Sequence, residues 1–232
     1  MNQSTRNTGT GVVLVTGSSS GIGAAITRRL LDAGWQVIGL DRTPAPSTKG
    51  FRAIEVDLTD ASKLAATVAA LPRIDAIVHA AGFMRTAVLG ALKPEDGEGM
   101  WRIHVDAAAV LANALMPKLP RGARIVLIGS RTAAGAPGRS QYAATKAALV
   151  GMARSWAAEL APRGITVNVV APGATETPML NDPGRQGTPP RVPPIGRFIS
   201  PEEVAGLVSF LLGPDAGAIT GQQIVICGGG SL

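Results

Sequence analysis

Apolar runs of four to eight residues, rich in Val and Ile, alternate along this chain with longer stretches of helical periodicity, which is the pattern of βαβ units in a parallel sheet buried on both faces. The runs predict strands over residues 11–16, 36–41, 52–57, 74–80, 123–129, 165–171 and 222–227. Helices are expected over 22–33, 61–71, 95–119, 141–161 and 201–212. The resulting expectation is an α/β fold: a single-domain, Rossmann-like, doubly wound parallel sheet of seven strands with helices on both faces.

Punctuation residues agree with this layout. Ser200, Pro201 and Glu203 form a capping-box pattern at one helix start, and Gly34 closes another helix. Between residues 42 and 50, Pro44 and Pro46 leave no room for a helix, so that crossover is expected to be a loop. Pro183, Pro189, Pro190, Pro193 and Pro194, interleaved with glycines, predict a long irregular loop over about 178–200, the natural candidate for a substrate loop. Residues 1–10 are polar and read as a flexible leader, so the domain is expected to span 11–232.

Composition narrows the function classes. The chain has 232 residues, 46% of them hydrophobic, and no apolar run approaches the roughly 18 residues of a membrane helix. The net charge of +6 raises nucleic acid as a partner. The arginines are scattered, however, aromatics are 3%, and no binding motif for DNA or RNA is present. Cys227 is the single cysteine, and with His79 and His104 it forms no metal-ligand pattern, so no metal and a reducing, cytoplasmic setting are expected.

Thr16-Gly17-Ser18-Ser19-Ser20-Gly21-Ile22-Gly23 follows the first strand and opens the first helix, the context in which glycines let backbone amides approach a dinucleotide pyrophosphate. Asp41 closes the second strand, where a carboxylate accepts from ribose hydroxyls and repels a 2′-phosphate, favouring NAD over NADP. Arg42 at the next position is the opposing signal, since a guanidinium there would hold that phosphate.

Tyr142 and Lys146 are four residues apart on one helix face, an arrangement in which a cation lowers a phenol's pKa toward working pH. Such a phenol is an acid/base for interconverting an alcohol and a ketone. Ser130, ending the fifth strand, is a candidate donor to the substrate oxygen. Taken singly, each has a plainer explanation: a helical surface pair for Tyr142 and Lys146, a cap for Ser130.

TGSSSGIG at 16–23, HAAG at 79–82, Ser130, YAATK at 142–146 and PGATET at 172–177 together resemble the short-chain dehydrogenase/reductase family, over nearly the whole chain from Gly11. The resemblance implies Tyr142 as acid/base, Ser130 orienting the substrate oxygen, and Lys146 holding the nicotinamide ribose. It also implies cofactor contacts by Gly17, Ser19, Ser20, Gly21, Ile22, Gly23, Asp57, Leu58, Ala81, Gly82, Pro172, Gly173, Thr175 and Thr177. An asparagine usual in the family's long central helix is aligned here with Asp106, which either weakens Lys146 or carries protons itself. His79 stands where the family usually has asparagine and, with His104, is assigned no catalytic role.

The expected function is therefore an NAD-linked oxidoreductase on a small alcohol or ketone. An NADPH-linked 3-oxoacyl thioester reductase is one alternative, and a catalytically weakened dinucleotide-binding subunit, suggested by Asp106, is another. Arg185, Arg191 and Arg197 either recognise an anion or are solvated loop charges. Leu149, Val150, Met152, Trp156 and Leu160 make helix 141–161 apolar nearly all round, which predicts a homo-oligomer. The family resemblance suggests a tetramer or dimer.

Overall fold

The structure, a computed structural model, describes residues 11–185 and 188–232. The proposed leader 1–10 and two positions of the proline-rich loop lie outside the described residues. Seven parallel strands, β1 (Val12–Thr16), β2 (Gln36–Asp41), β3 (Phe51–Glu55), β4 (Ala76–His79), β5 (Arg124–Ile128), β6 (Thr166–Pro172) and β7 (Gln223–Ile226), form one sheet in the order β3-β2-β1-β4-β5-β6-β7. The helices are α1 (Gly21–Asp32), α2 (Ala61–Ala69), α3 (Pro94–Trp101), α4 (Ala107–Leu115), α5 (Ser140–Leu160) and α6 (Pro201–Leu212).

Strand alternation distributes the apolar side chains between two cores. Leu14, Ile77, Ile125, Leu127 and Val167 face α2, α4 and α5. Val13, Val15, Val78, Val126 and Val170 face α1 and α6. Because both faces are covered, the strands read as continuous apolar runs rather than alternating ones. Strand order reverses between β1 and β4, and ligands of such sheets bind in the crevice at that switch point, beyond the carboxyl ends of the strands.

Most element boundaries fall within one or two residues of the sequence expectation, and one element differs in kind. The single helix expected over 95–119 is α3, a π-helical turn over Arg102–Asp106, α4, and a final 3-10 turn over Met116–Lys118. Pro117 lacks the N–H that an α-helix running to Leu119 would need. The π turn lies at the cleft, where such turns recur because one extra residue re-aims the side chains around it. The crossover from β2 to β3 contains no helix, as the prolines require. The capping box of α6 is present, with the Ser200 hydroxyl accepting from Glu203 N and the Glu203 carboxylate accepting from Ser200 N.

Leu111 on α4 is fully buried in the core beneath the sheet. Leu111→Ala should lower unfolding stability by roughly 2–5 kcal/mol through lost burial and the cavity left behind. Urea denaturation should show the midpoint falling with little change in slope, and an unchanged midpoint would contradict this packing.

Candidate active site

Beyond β1 the chain passes through Gly17 (φ 66°) and Gly21 (φ 50°) into α1. A side chain at Gly17 would lie 2.8 Å from Ala81 Cα, and one at Gly23 would overlap the Gly17 carbonyl. The glycines therefore let three backbone segments meet. The first turn of α1 contains no acidic residue, and Ser20 at its N-cap makes no side-chain cap. Its leading amides are left for an anion, which fits a dinucleotide pyrophosphate.

Asp41 ties this loop to the next. Its carboxylate accepts from Ser19 N (3.2 Å) and Thr43 N (3.1 Å), while Ser19 Oγ accepts from Ala45 N (3.0 Å). Gly17, Ser20, Gly21, Ile22, Gly23 and Arg42 line one end of a cleft of about 610 Å³. Asp57 is exposed beyond β3, its carboxylate held by Thr59 N and Oγ1 and its pKa lowered chiefly by those bonds. Leu58 is buried in the core, so it can offer a ligand only its backbone.

The middle of the cleft is fixed by Thr16. Its hydroxyl accepts from Ala80 N and Ala81 N, both at 3.1 Å, and lies 2.9 Å from His79 Nδ1. His79 Nε2 is 3.0 Å from the Ile103 carbonyl, so Nε2 carries the ring proton and Nδ1 accepts from Thr16. Burial and the Lys146 charge push His79 down to about 4, which keeps the ring neutral. His79 is thus a packed, satisfied residue, and Ala81 and Gly82 line the cleft beside it.

Ser130, Tyr142 and Lys146 meet at the far end. Ser130 is the N-cap of a 3-10 turn, accepting from Thr132 N at 3.1 Å, and its side chain also faces the cleft. Lys146 Nζ donates to the Ile128 carbonyl at 2.9 Å and lies 5.7 Å from the Tyr142 ring centroid. Burial pushes Tyr142 up, against a hydrogen bond with Ser130 and the fields of Arg185 and Arg139. Burial likewise brings Lys146 down to about 7. The expectation that Lys146 pulls the phenol down is not met in the protein alone: burial dominates, and the opposing influences come from Ser130, Arg185 and Arg139.

The structure does not bring Asp106 to this pair. Asp106 is exposed and its carboxylate accepts from Trp101 Nε1 at 3.1 Å. His104, from the same π turn, takes the inward place. It is fully buried, stacks edge-on to Tyr142 with centroids 5.6 Å apart, and has Nδ1 2.8 Å from Thr145 Oγ1. The Thr145 hydroxyl donates to the Tyr142 carbonyl, so His104 Nδ1 is the donor in that contact. Its Nε2 faces Gly82. Spacing carried this signal: Met100, His104, Ala107, Ala108, Leu111 and Leu115 form one buried stripe, and position 106 falls outside it.

Pro172, Gly173, Thr175 and Thr177 complete the wall opposite Tyr142. The segment after Thr177 forms two 3-10 turns, Pro178–Asn181 and Pro183–Arg185, that lean over the cleft. Arg185 and Arg191 line the cleft, whereas Arg197 pairs with Glu203 at 2.7 Å. Among the described residues there is no cluster of metal-ligating side chains, and no helix is long and apolar enough to cross a membrane.

Comparison with known proteins decides the family. A family model described as enoyl-(acyl carrier protein) reductase matches residues 17–231. The 3-oxoacyl-[acyl-carrier-protein] reductase FabG of Thermotoga maritima is 35% identical, over 94% of this chain and 96% of that protein. Its counterpart in Vibrio cholerae is 36% identical with the same coverage. A blue fluorescent protein from a metagenomic library, solved in complex with NADPH, superposes with a TM-score of 0.84 at 34% identity, covering 96% of this chain and 98% of that one. The chain belongs to the short-chain dehydrogenase/reductase family. It is an oxidoreductase that interconverts an alcohol and a ketone with a nicotinamide dinucleotide.

In this member, the lysine's burial has a measurable consequence. Between about 7 and the ordinary 10.5, the unfolded chain binds a proton at Lys146 that the folded one does not. Stability from this group is therefore flat below the lower value and rises with pH through the window. The stability difference between the native chain and Lys146→Met should grow in favour of the native chain from pH 7 to 10. A pH-independent difference in thermal melts would show that Lys146 keeps its ordinary charge.

Proposed function

We propose that this chain is an NAD-linked dehydrogenase/reductase of a secondary alcohol or ketone, with Tyr142 as the acid/base, Ser130 orienting the substrate oxygen and Lys146 holding the nicotinamide ribose. The observation that carries this reading is the convergence of these three side chains on one cleft with the glycine cradle. When bound, the dinucleotide would supply or accept the hydride. In reduction Tyr142 donates its proton to the forming alkoxide, and in oxidation it takes the alcohol proton back. The Ser130 hydroxyl donates to the same oxygen as its charge develops. Lys146 would hold the ribose hydroxyls through the N–H bonds that Ile128 leaves free.

Asp41 supports NAD, because its carboxylate stands at the glycine loop and would repel a 2′-phosphate. The NADPH complex of the metagenomic relative, together with Arg42 in the cleft wall, supports NADP as the second reading. Reduction of a 3-oxoacyl thioester is the second reading for substrate, supported by the two reductases above. The idea of a weakened subunit rested on Asp106 and loses its basis with that residue outside the cleft.

The loop over 178–200 would serve as the substrate loop, since its residues stand over Tyr142. Val150, Met152, Trp156 and Leu160 on α5 are only partly covered, which supports a homo-oligomer. A single buried cysteine supports a reducing, cytoplasmic setting.

Tyr142→Phe should lower turnover on a panel of secondary alcohols by about 10²–10⁴-fold, the usual contribution of a positioned acid/base, while dinucleotide affinity by calorimetry stays within a few-fold. Unchanged turnover would remove the assignment. Asp41→Asn should move the ratio of kcat/KM for NAD over NADP toward NADP by about tenfold, the effect of removing one nearby charge. A native chain that already prefers NADP would overturn the cofactor reading.

A further inference from the structure

Four arginines, Arg131, Arg139, Arg185 and Arg191, line the cleft together with Tyr142. None of the four forms an ion pair among the described residues, whereas Arg28, Arg73, Arg85, Arg102 and Arg197 each hold a carboxylate. Asp182, a carboxylate in the same lining, attracts Arg185. It is already engaged with Gly184 N at 2.7 Å and with Arg85 at 3.4 Å. Positive charge in this wall thus outnumbers its one carboxylate, which is itself already engaged.

The two arginines nearest the phenol are held from behind. Arg139, three residues before Tyr142 at the start of α5, donates from Nη2 to the Thr188 carbonyl at 3.2 Å. Arg185 donates from Nη1 to the Met179 carbonyl at 3.1 Å. In both, Nε is buried and has no hydrogen-bond partner among the described residues. These Nε atoms have almost no accessible surface, so it is the Nη groups that each guanidinium can offer to a ligand in the cleft. Both arginines line the cleft with Tyr142, and their charges act on its oxygen. Arg131, Arg185 and Arg191 each repel Arg139, and an anion among them would relieve that repulsion.

We propose that the substrate is a short oxo acid or hydroxy acid whose carboxylate is bound by Arg139 and Arg185 while Tyr142 serves its carbonyl or alcohol oxygen, an inference that rests on the reading of Tyr142 as acid/base. Guanidinium groups fixed by backbone carbonyls are preorganised for a planar carboxylate. The dinucleotide's phosphates have a seat of their own in the Gly17, Gly21 and Gly23 cradle at the start of α1, with Arg42 beside it. A 3-oxoacyl thioester does not satisfy the two arginines, since its reacting end is neutral.

The test compares acetoacetate and levulinate with their methyl esters and with acetoacetyl-coenzyme A, using NADH and NADPH. The native chain should favour the acids over the esters in kcat/KM by at least about tenfold, the worth of one charge-assisted contact, and Arg139→Gln and Arg185→Gln should each cut that preference about tenfold through KM. Equal use of acid and ester, an unchanged preference in the variants, or preference for the thioester would overturn the proposal. Calorimetry with malonate, which is not reducible, reads the anion site separately. Binding that weakens about tenfold in each variant supports it even if no ketone is turned over, in which case the reading of Tyr142 fails alone. Absence of malonate binding together with no turnover overturns both.

Discussion

The hydroxyl of Thr16 is the point on which the cleft depends. It sits fully buried at the end of β1, accepts the amides of Ala80 and Ala81 just beyond β4, and donates its proton to His79. β1 and β4 are ladder partners as far as Thr16 opposite His79, and the hydroxyl carries that pairing on to the chain leaving β4 at the point where strand order reverses. A buried hydroxyl with every bond made is rigid, and an unmade one costs roughly 1–3 kcal/mol. With Gly17 packed directly on Ala81, the cradle and the cleft floor become one unit. His79 extends that unit to the π turn through the Ile103 carbonyl.

The π turn explains how a histidine comes to neighbour a lysine without carrying charge. Burial lowers His104 well below its ordinary value, and the Lys146 ammonium pushes it the same way. A neutral His104 donates from Nδ1 to Thr145, whose hydroxyl in turn is committed to the Tyr142 carbonyl. The first turns of α5 are thereby braced against the central helix, and Tyr142 and Lys146 inherit their positions from that brace. Desolvation in the same space raises the phenol and lowers the ammonium. The phenol is thereby kept protonated, the state in which it can give a proton to a developing alkoxide, while the lysine is shifted toward its neutral amine.

Much of this was legible in the residues alone. The seven strands follow from apolar runs bounded by turn residues, and the glycine loop from its place between strand and helix, because both are local properties. Asp106 was misplaced because motif alignment counts residues, whereas the inward face of a helix is set by the angle each residue subtends, and a π turn alters that angle. The buried stripe from Met100 to Leu115 held the correct answer. The balance of burial against charge at Tyr142 was not legible, since desolvation depends on side chains contributed by distant segments. Leu58 illustrates a third case, in which a motif position offers its backbone and buries its side chain in the core.

The excess of basic residues gains a different meaning from this geometry. A net charge of +6 suggests a polyanion when spread over a surface. Here part of that excess is concentrated in one cleft, in four arginines that line it together with Tyr142 and form no ion pairs among the described residues. A cleft with low-dielectric walls focuses such a field, so the cluster would orient an anionic molecule as well as attract it. A substrate with an anionic group would enter with that group toward the arginines and its oxygen toward Tyr142. The position of charge, more than its total, separates this cleft from a nucleic-acid surface, and only the folded arrangement of the two loops around α5 reveals it.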